Sequence, residues 1–290
     1  MVFIMLVGLP GSGKSTHAHE LMKKFPGIKY LSSDKIRGEL YGDENIQGDA
    51  NKVFRILHNR VKEALTEGKS VIYDATNVNR KSRKGILNEI KNIKDVDIRA
   101  HIVWAPYEVC VARDAGRDRT VGEEVIKKFL YRWETPFTDE GFDEISIIHN
   151  CEYDAVEYTK KLDENMKIPH ENPHHSLDVY DHCVEAEKYA IEHDFSGLVM
   201  TAARYHDIGK PMAKFYKTDE RGTIAHYYNH DNIGGYLFLG VDTTPQAQLT
   251  LSWMISTHMQ PYFDSAYYKS LSPIMRTVID QLHEADVNAH

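Results

Sequence analysis

Cysteine is scarce in this sequence: 3 among 290 residues, Cys110, Cys151 and Cys183, widely spaced and in no C-x-x-C pair. That excludes a dense disulfide framework and fits reduced, mostly buried thiols. Long apolar runs are lacking too. The longest, Val2 to Val7, is too short to span a membrane and no basic region precedes it, so neither a membrane span nor a secretory leader is expected and the chain is expected in the cytoplasm. There is no basic surplus either: 35 Lys+Arg stand against 43 Asp+Glu, a net charge of −8. This argues against a broad, non-specific nucleic-acid binder but leaves room for a narrow basic groove. No internal repeat or low-complexity tract is evident. What is there, 42% hydrophobic and 27% charged residues over 290 positions, is the composition of a globular protein long enough for two ordinary domains.

Charge and histidine are unevenly spread. Residues 1–150 carry 24 Lys+Arg against 22 Asp+Glu, whereas residues 151–290 carry 11 against 21 and hold 11 of the 16 histidines. An acidic, histidine-rich half poor in basic residues has the composition of a metal-binding module, because a nucleic-acid face would be basic.

The strongest motif is Gly8-Leu9-Pro10-Gly11-Ser12-Gly13-Lys14-Ser15-Thr16, which fits the phosphate-cradling pattern G-x-x-x-x-G-K-[ST]. Val2 to Val7 before it is β-prone and Lys14 to Phe25 after it can form a helix. That context is what a working loop needs. Its glycines let successive N–H groups and the helix N-terminus point at a nucleotide β-phosphate. Lys14 would reach the β/γ oxygens and the Ser15 hydroxyl would ligate Mg²⁺, so ATP or another nucleoside triphosphate is the expected cofactor.

Beyond the loop, strands are expected at 28–33, 70–73, 98–105 and 144–149, with helices at 51–68, 80–93, 107–118 and 122–133. Alternating strands and helices imply a parallel sheet, whose ligands sit beyond the strand carboxyl ends. The P-loop, Asp34 and Asp74 all fall there. Residues 151–171 read as a connecting helix and linker, with Pro169 and Pro173 marking a boundary near residue 170. From Leu177 onward no convincing strand is found, so the expected fold is an α/β P-loop kinase domain (1–150) followed by an all-α domain (172–290).

Phosphoryl transfer also needs a group that orients or deprotonates the acceptor and cations for the transferred oxygens. Asp34 supplies a carboxylate and Arg37 lies one turn later, although Asp34 could equally be a helix N-cap. Asp74 ends a strand as a metal-orienting carboxylate does, or is a turn residue. Arg113, Arg117 and Arg119 could form a lid or a solvated helix face. The cluster Arg80, Lys81, Arg83 and Lys84 allows the same two readings.

GLPGSGKST, SSDKIRGEL, VIYDATNVNRKSR, VARDAGRDRTV and ETPFTDEGFDEI together resemble the kinase module of the phage-type polynucleotide 5′-kinases over residues 1 to about 150. The resemblance implies that Asp34 is the general base for a 5′-hydroxyl and that Arg37 holds the adjacent phosphate of the acceptor strand. It makes Arg117 the lid cation with Arg113 assisting, while Arg119 could exchange roles with Arg117. Gly122 stands where that family usually has proline.

In the second half His206 and Asp207 are adjacent in ARYHDIGKP, His182 precedes them by 24 residues, and Asp286 lies in the last helical segment. Two imidazoles and two carboxylates suit Mn, Fe, Co, Ni or Zn more than Ca. His230 and His258 could complete a second position, and paired metals activate water and hold phosphate oxygens together. Lys210 would then be a cation for the substrate phosphate. The order His182, then His206-Asp207, then Asp286 resembles the HD phosphohydrolase superfamily over residues 172–290, with His230 and His258 matching the extra histidines of two-metal members. NPHHSLDVYDHC is similar to the HD domains of tRNA-processing enzymes, with His175 placed behind the ligands. The chain ends four residues after Asp286, which leaves a natural C-terminal extension open.

Kinase and HD modules in one chain resemble the bifunctional end-healing enzymes of nucleic-acid repair, here with the HD module second. The resemblance implies phosphorylation of 5′-OH ends of RNA or DNA from ATP, removal of a 3′/2′-phosphate or 2′,3′-cyclic phosphate, and a ligase acting downstream. The rivals are a small-molecule or nucleoside kinase joined to a nucleotidase, and an ATP-sensing module that regulates an HD hydrolase.

Overall fold

The computed structural model of the chain describes residues 1–117, 120–171, 177–219 and 222–289, and it divides into two compact units. The first comprises Met1–Phe129 and Pro136–Glu152; the second comprises Leu130–Thr135 and Tyr153–His290.

In chain order the first unit runs β1 (Val2–Val7), α1 (Lys14–Lys24), β2 (Lys29–Ser32), α2 (Ser33–Tyr41), α3 (Ala50–Thr66), β3 (Val71–Asp74), α4 (Arg80–Ile90), β4 (Asp97–Trp104), α5 (Tyr107–Ala115), α6 (Glu123–Leu130, whose last residue falls in the second unit) and β5 (Glu144–His149). The five strands pair in the order β2-β3-β1-β4-β5, all parallel. β1 is central, so Phe3 to Val7 are buried and read as a continuous apolar run rather than an alternating one. Helices cover the sheet by apolar stripes. On α3 these are Val53, Leu57, Val61, Ala64 and Leu65, and Asp49 caps the helix by accepting from the Lys52 N–H. Register fixes where the loops emerge: Leu6 pairs with Asp74 and Ser32 pairs with Asp74, so β1, β2 and β3 end on one line.

The second unit continues with α7 (Ala155–Met166), α8 (Val179–Glu192), α9 (Gly197–Tyr205), α10 (Lys210–Ala213), β6 (Phe215–Asp219), β7 (Gly222–His226), α11 (His230–Phe238), α12 (Pro245–Thr257), α13 (Ala266–Ser270) and α14 (Pro273–Val287). Its core is built from Cys183, Ala186, Ala202, Ala203, Phe238, Met254, Ile255, Ile279 and Leu282, all fully buried. Segment 130–135 is part of this core. Trp133 is fully buried edge-on to Tyr236, with 5.0 Å between ring centroids, and donates to Thr135 Oγ1. Thr135 and Ser252 share a 2.7 Å hydrogen bond, and the Ser252 hydroxyl donates to the Gly235 carbonyl.

Two glycines set the approach of the elements that carry the second unit's histidines. A Cβ on Gly209 would lie 2.0 Å from the His230 carbonyl, and one on Gly235 would lie 2.6 Å from Ser256 Cβ. Only bare backbone lets the turn after Asp207 and helix α12 press this closely on α11.

The expectation of an all-α second domain is corrected by β6 and β7, which form an antiparallel hairpin with Phe215 opposite His226. Two short strands of one hairpin lack the run length and regular alternation that a sequence pattern registers. Helix ends also differ: α5 stops at Ala115 and α6 at Leu130, so Arg117 and Trp133 lie beyond the helices expected to hold them. The expected placement of Arg113 and Arg117 one turn apart on a single helix is therefore corrected.

Candidate functional sites

The loop between β1 and α1 wraps the carboxyl end of the central strand. Gly11 and Gly13 have φ of 81° and 97°, and a Cβ on either would strike Cys110 O at 2.1 Å or the Asn150 side chain at 2.7 Å. Lys14 Nζ donates to the Gly8 and Leu9 carbonyls, 2.8 Å each, which folds its ammonium into the cradle. Burial lowers the Lys14 pKa, opposed by Asp74 and Asp34. The Ser12 hydroxyl is buried without a hydrogen-bond partner inside the loop, an orphan a phosphate oxygen would satisfy. Ser15 and Thr16 are exposed on the first turn of α1, and Pro10 is half-buried on the loop.

Asp74 closes β3 beside this loop. Burial raises its pKa, and Lys14 and the Tyr30 hydroxyl, which donates to Oδ2 at 2.6 Å, work against that. Tyr30 carries no motif and was invisible in the sequence. Asp34 is not the cap of α2: Ser32 takes that role by accepting from the Asp34 N–H. The Asp34 carboxylate, half-exposed, pairs instead with Arg37 at 2.7 Å. An acceptor group would meet this pair at the same sheet edge as the loop.

The lid arginines separate. Arg113 donates to the Asn150 carbonyl at 2.6 Å, and the Asn150 amide reaches Gly13 O at 3.5 Å, so Arg113 braces the loop. Arg117 is exposed and close enough to Lys14 to lower its pKa, whereas Arg119 lies outside the described residues. Of the second basic cluster, Arg83 is fully buried and holds Glu140 through two hydrogen bonds of 2.6 and 2.8 Å, and Arg80 holds Asp139 in the same two-pronged way. These two arginines tie α4 to the turn at Thr138–Glu140 rather than presenting a phosphate-binding face.

In the second unit the structure brings all six sequence-predicted ligands together. His182, His206, Asp207, His230 and His258 are buried, and two sets share Asp207: His182 with His206, and His230 with His258, their ligand atoms within 4.8 Å of one another in each set. Asp207 Oδ1 lies 3.1 Å from His230 Nε2, while Oδ2 lies 3.3 Å from His206 Nε2 and 3.7 Å from His182 Nε2. Asp286 Oδ1 adds distances of 3.1 Å to His182 and 3.3 Å to His206.

The backbone orients every imidazole. Nδ1 of His182, His206, His230 and His258 faces the carbonyl of Ala289, Ala203, Tyr227 and Ile255, at 3.2, 2.8, 2.8 and 2.7 Å respectively. A carbonyl only accepts, so each Nδ1 carries a proton, and in the neutral ring Nε2 turns its lone pair inward. The two carboxylates favour positive charge here. Burial would lower the His206 pKa, yet Asp207 and Asp286 hold it well above the ordinary value. Asp207, which burial alone would raise, is held well below by His206 and Lys210. His206 Nε2 remains buried without a hydrogen bond of good geometry, and Asp207 Oδ2 is held only by ion-pair contacts. Imidazole nitrogens aimed inward and two carboxylates fit one or two divalent cations with mixed N/O preference.

Lys210 Nζ lies 2.6 Å from Asp207 Oδ2 and 3.0 Å from His170 Nε2. His170, which the sequence did not single out, is buried, has its pKa pushed down to about 4 by burial and the Lys210 charge, and holds the Leu177 carbonyl through Nδ1. Tyr262 donates to Asp286 Oδ2 at 2.9 Å. A cleft of about 450 Å³ opens over the cluster, lined also by Tyr227, Tyr228 and Met259. His175 lies outside the described residues.

Residues 3–136 match the family described as the AAA domain. The first unit is a P-loop, kinase-like α/β domain. No curated protein matches the chain. Among solved structures, a chain of the Pnkp1/Rnl/Hen1 RNA repair complex is 22% identical with a TM-score of 0.41, over 44% of this chain and 42% of its own, so this chain spans less than half of that relative. A fungal RNA kinase is 17% identical with a TM-score of 0.40, covering 56% of this chain and 80% of its own. A Janibacter sugar kinase is 19% identical with a TM-score of 0.39, covering 51% and 84%. No helix among the described residues is long and apolar enough to cross a membrane.

Proposed function

We propose that the chain is a bifunctional nucleic-acid end-healing enzyme: an ATP-dependent kinase for 5′-hydroxyl ends joined to a metal-dependent HD-type phosphohydrolase for 3′- or 2′-phosphate and 2′,3′-cyclic phosphate ends. The reading is supported above all by four imidazoles grouped around one buried carboxylate, Asp207, with Asp286 against two of them, in a chain whose first unit already carries a triphosphate loop.

In the kinase unit the backbone N–H groups of Gly11 to Thr16 would cradle the triphosphate, and Ser15 and Asp74 would hold Mg²⁺. Lys14 leaves its two carbonyls for the β/γ oxygens when nucleotide enters. Asp34 takes the proton from the acceptor hydroxyl, and Arg37 binds the phosphate next to that hydroxyl. Arg117 neutralises charge on the transferring group.

In the second unit His182, His206, Asp207 and Asp286 would hold one divalent cation, and Asp207, His230 and His258 would hold a second. When bound, such a pair supplies an acidified water and Lewis-acid sites for phosphate oxygens. The chain's own contribution is orientation. Backbone carbonyls lock the four imidazoles, Tyr262 fixes Asp286, and Lys210 offers its ammonium to a non-bridging phosphate oxygen. Both products, a 5′-phosphate and a 3′-hydroxyl, are what a ligase joins.

The test is incubation with ATP, Mn²⁺ and an RNA strand bearing 5′-OH and 2′,3′-cyclic phosphate ends. Both ends should be converted, with Asp34→Ala blocking only the first and Asp207→Ala only the second. Transfer to free nucleosides or sugars in place of the oligonucleotide would overturn the polynucleotide reading.

A further inference from the structure

The hairpin that the sequence concealed carries a face no part of the mechanism uses. In an antiparallel pair, side chains two residues apart share a face, and here Phe215, Lys217, Ile224, His226 and, just past the strand, Tyr228 do so. Phe215 and His226 stack at 5.6 Å with 28° between their planes, and Tyr228 stands 5.2 Å from the first and 5.6 Å from the second. Lys217 lies over two of these rings, 4.8 Å from Tyr228 and 5.6 Å from Phe215, and donates to the Tyr228 hydroxyl. Among the described side chains Lys217 meets no carboxylate, whereas Lys214 pairs with Glu171.

This patch is continuous with the metal-ligand cleft. Tyr228, 53% exposed, belongs to both, and two residues later the chain delivers His230. Across the cleft Tyr262, 48% exposed, forms the opposite rim. Rings beside a lysine ammonium match a chain that alternates bases with phosphates, because aromatic faces stack bases of any sequence and the cation meets the backbone. An acidic peptide or an anionic lipid would meet the lysine but offers the rings no run of planar bases to stack on them.

We infer that this hairpin face is a single-strand subsite, where the nucleotides just upstream of a 3′ end stack on Tyr228 and place a backbone phosphate on Lys217 while the terminal phosphate enters the cleft. The inference rests on the hydrolase reading for its direction and names the substrate as an oligonucleotide end rather than a mononucleotide.

The deciding experiment is photocrosslinking of the full chain, in EDTA, to a 3′-phosphorylated oligonucleotide carrying 4-thiouridine at its penultimate position. Adducts should map to Phe215, Lys217 or residues 224–228 and be competed by plain oligonucleotide far better than by a nucleoside 3′-phosphate. Adducts confined elsewhere overturn the proposal, as does dimerisation of the chain through this face with no adduct on it. In parallel, Tyr228→Ala and Lys217→Ala should each lower kcat/KM for the oligonucleotide about tenfold relative to that for the nucleoside 3′-phosphate, with Tyr228→Trp restoring the ratio. An equal fall for both substrates overturns it. If the wild-type protein with Mn²⁺ hydrolyses neither substrate, the hydrolase reading fails, and the crosslink still decides the subsite.

Discussion

His230 and His258 face each other through their Nε2 atoms at 3.2 Å, each with Nδ1 already turned to a backbone carbonyl. Two inward lone pairs repel unless a cation lies between or beside them, and Asp207 Oδ1, 3.1 Å from His230, supplies the matching negative charge. His258→Ala should therefore lose one of two metal equivalents in elemental analysis and lower phosphohydrolysis by at least about 100-fold. Full metal content with unchanged turnover would show that these two imidazoles are a packing pair.

Asp34 and Arg37 make a second such test. Their 2.7 Å ion pair, capped separately by Ser32, leaves the carboxylate no structural duty in the helix start. Asp34→Ala should lower transfer to a 5′-hydroxyl oligonucleotide by about 10² to 10⁴, while ATP binding measured by calorimetry stays within about twofold. Loss of ATP binding would instead place Asp34 in the nucleotide cradle.

The P-loop and the strand-helix alternation were legible because each rests on local pattern, and Leu6, Ser32 and Asp74 end in register as a parallel sheet requires. That His182, His206, Asp207, His230, His258 and Asp286 come together was legible for a different reason. Histidine and aspartate are rarely buried together without a purpose, so their types and order carried information even though the residues span 182–286. What stayed hidden depends on tertiary partners. The Arg83–Glu140 pair joins segments 57 residues apart and looked like surface charge in a basic run. His170 and Tyr30 are ordinary residues until Lys210 and Asp74 arrive beside them. Trp133 lies beyond the end of its helix and packs in the other unit's core, which no periodicity announces.

Arg83 and Glu140 are both fully buried, and the guanidinium also donates to the Asn77 carbonyl at 3.0 Å. Removing one partner strands the other as a buried charge, which costs about 3–5 kcal/mol, whereas replacing both is far milder. Arg83→Met should lower the melting temperature by about 10 °C, and Arg83→Met with Glu140→Met should recover most of that loss. A single variant as stable as wild type would mean that water reaches the pair.

Acid stability of the first unit should depend on His101. Its Nδ1 lies 2.9 Å from His17 Nε2, and burial, with His17 adding to it, pushes the His101 pKa from 6.5 down to about 4. The folded state thus favours the neutral ring and binds fewer protons than the unfolded chain below pH 6.5, so stability falls as pH drops from about 6.5 to 4 and is unaffected by this group above that window. His101→Gln keeps a hydrogen-bonding side chain opposite His17 but cannot take up a proton. Its melting temperature should accordingly fall less steeply than wild type between pH 6.5 and 4.5, with the two curves parallel from pH 7 to 8. Parallel curves through the acid range as well would mean that the imidazole is protonated in the folded protein, with a negative group such as Glu144, which already acts to raise its pKa, drawn close enough to hold the charge.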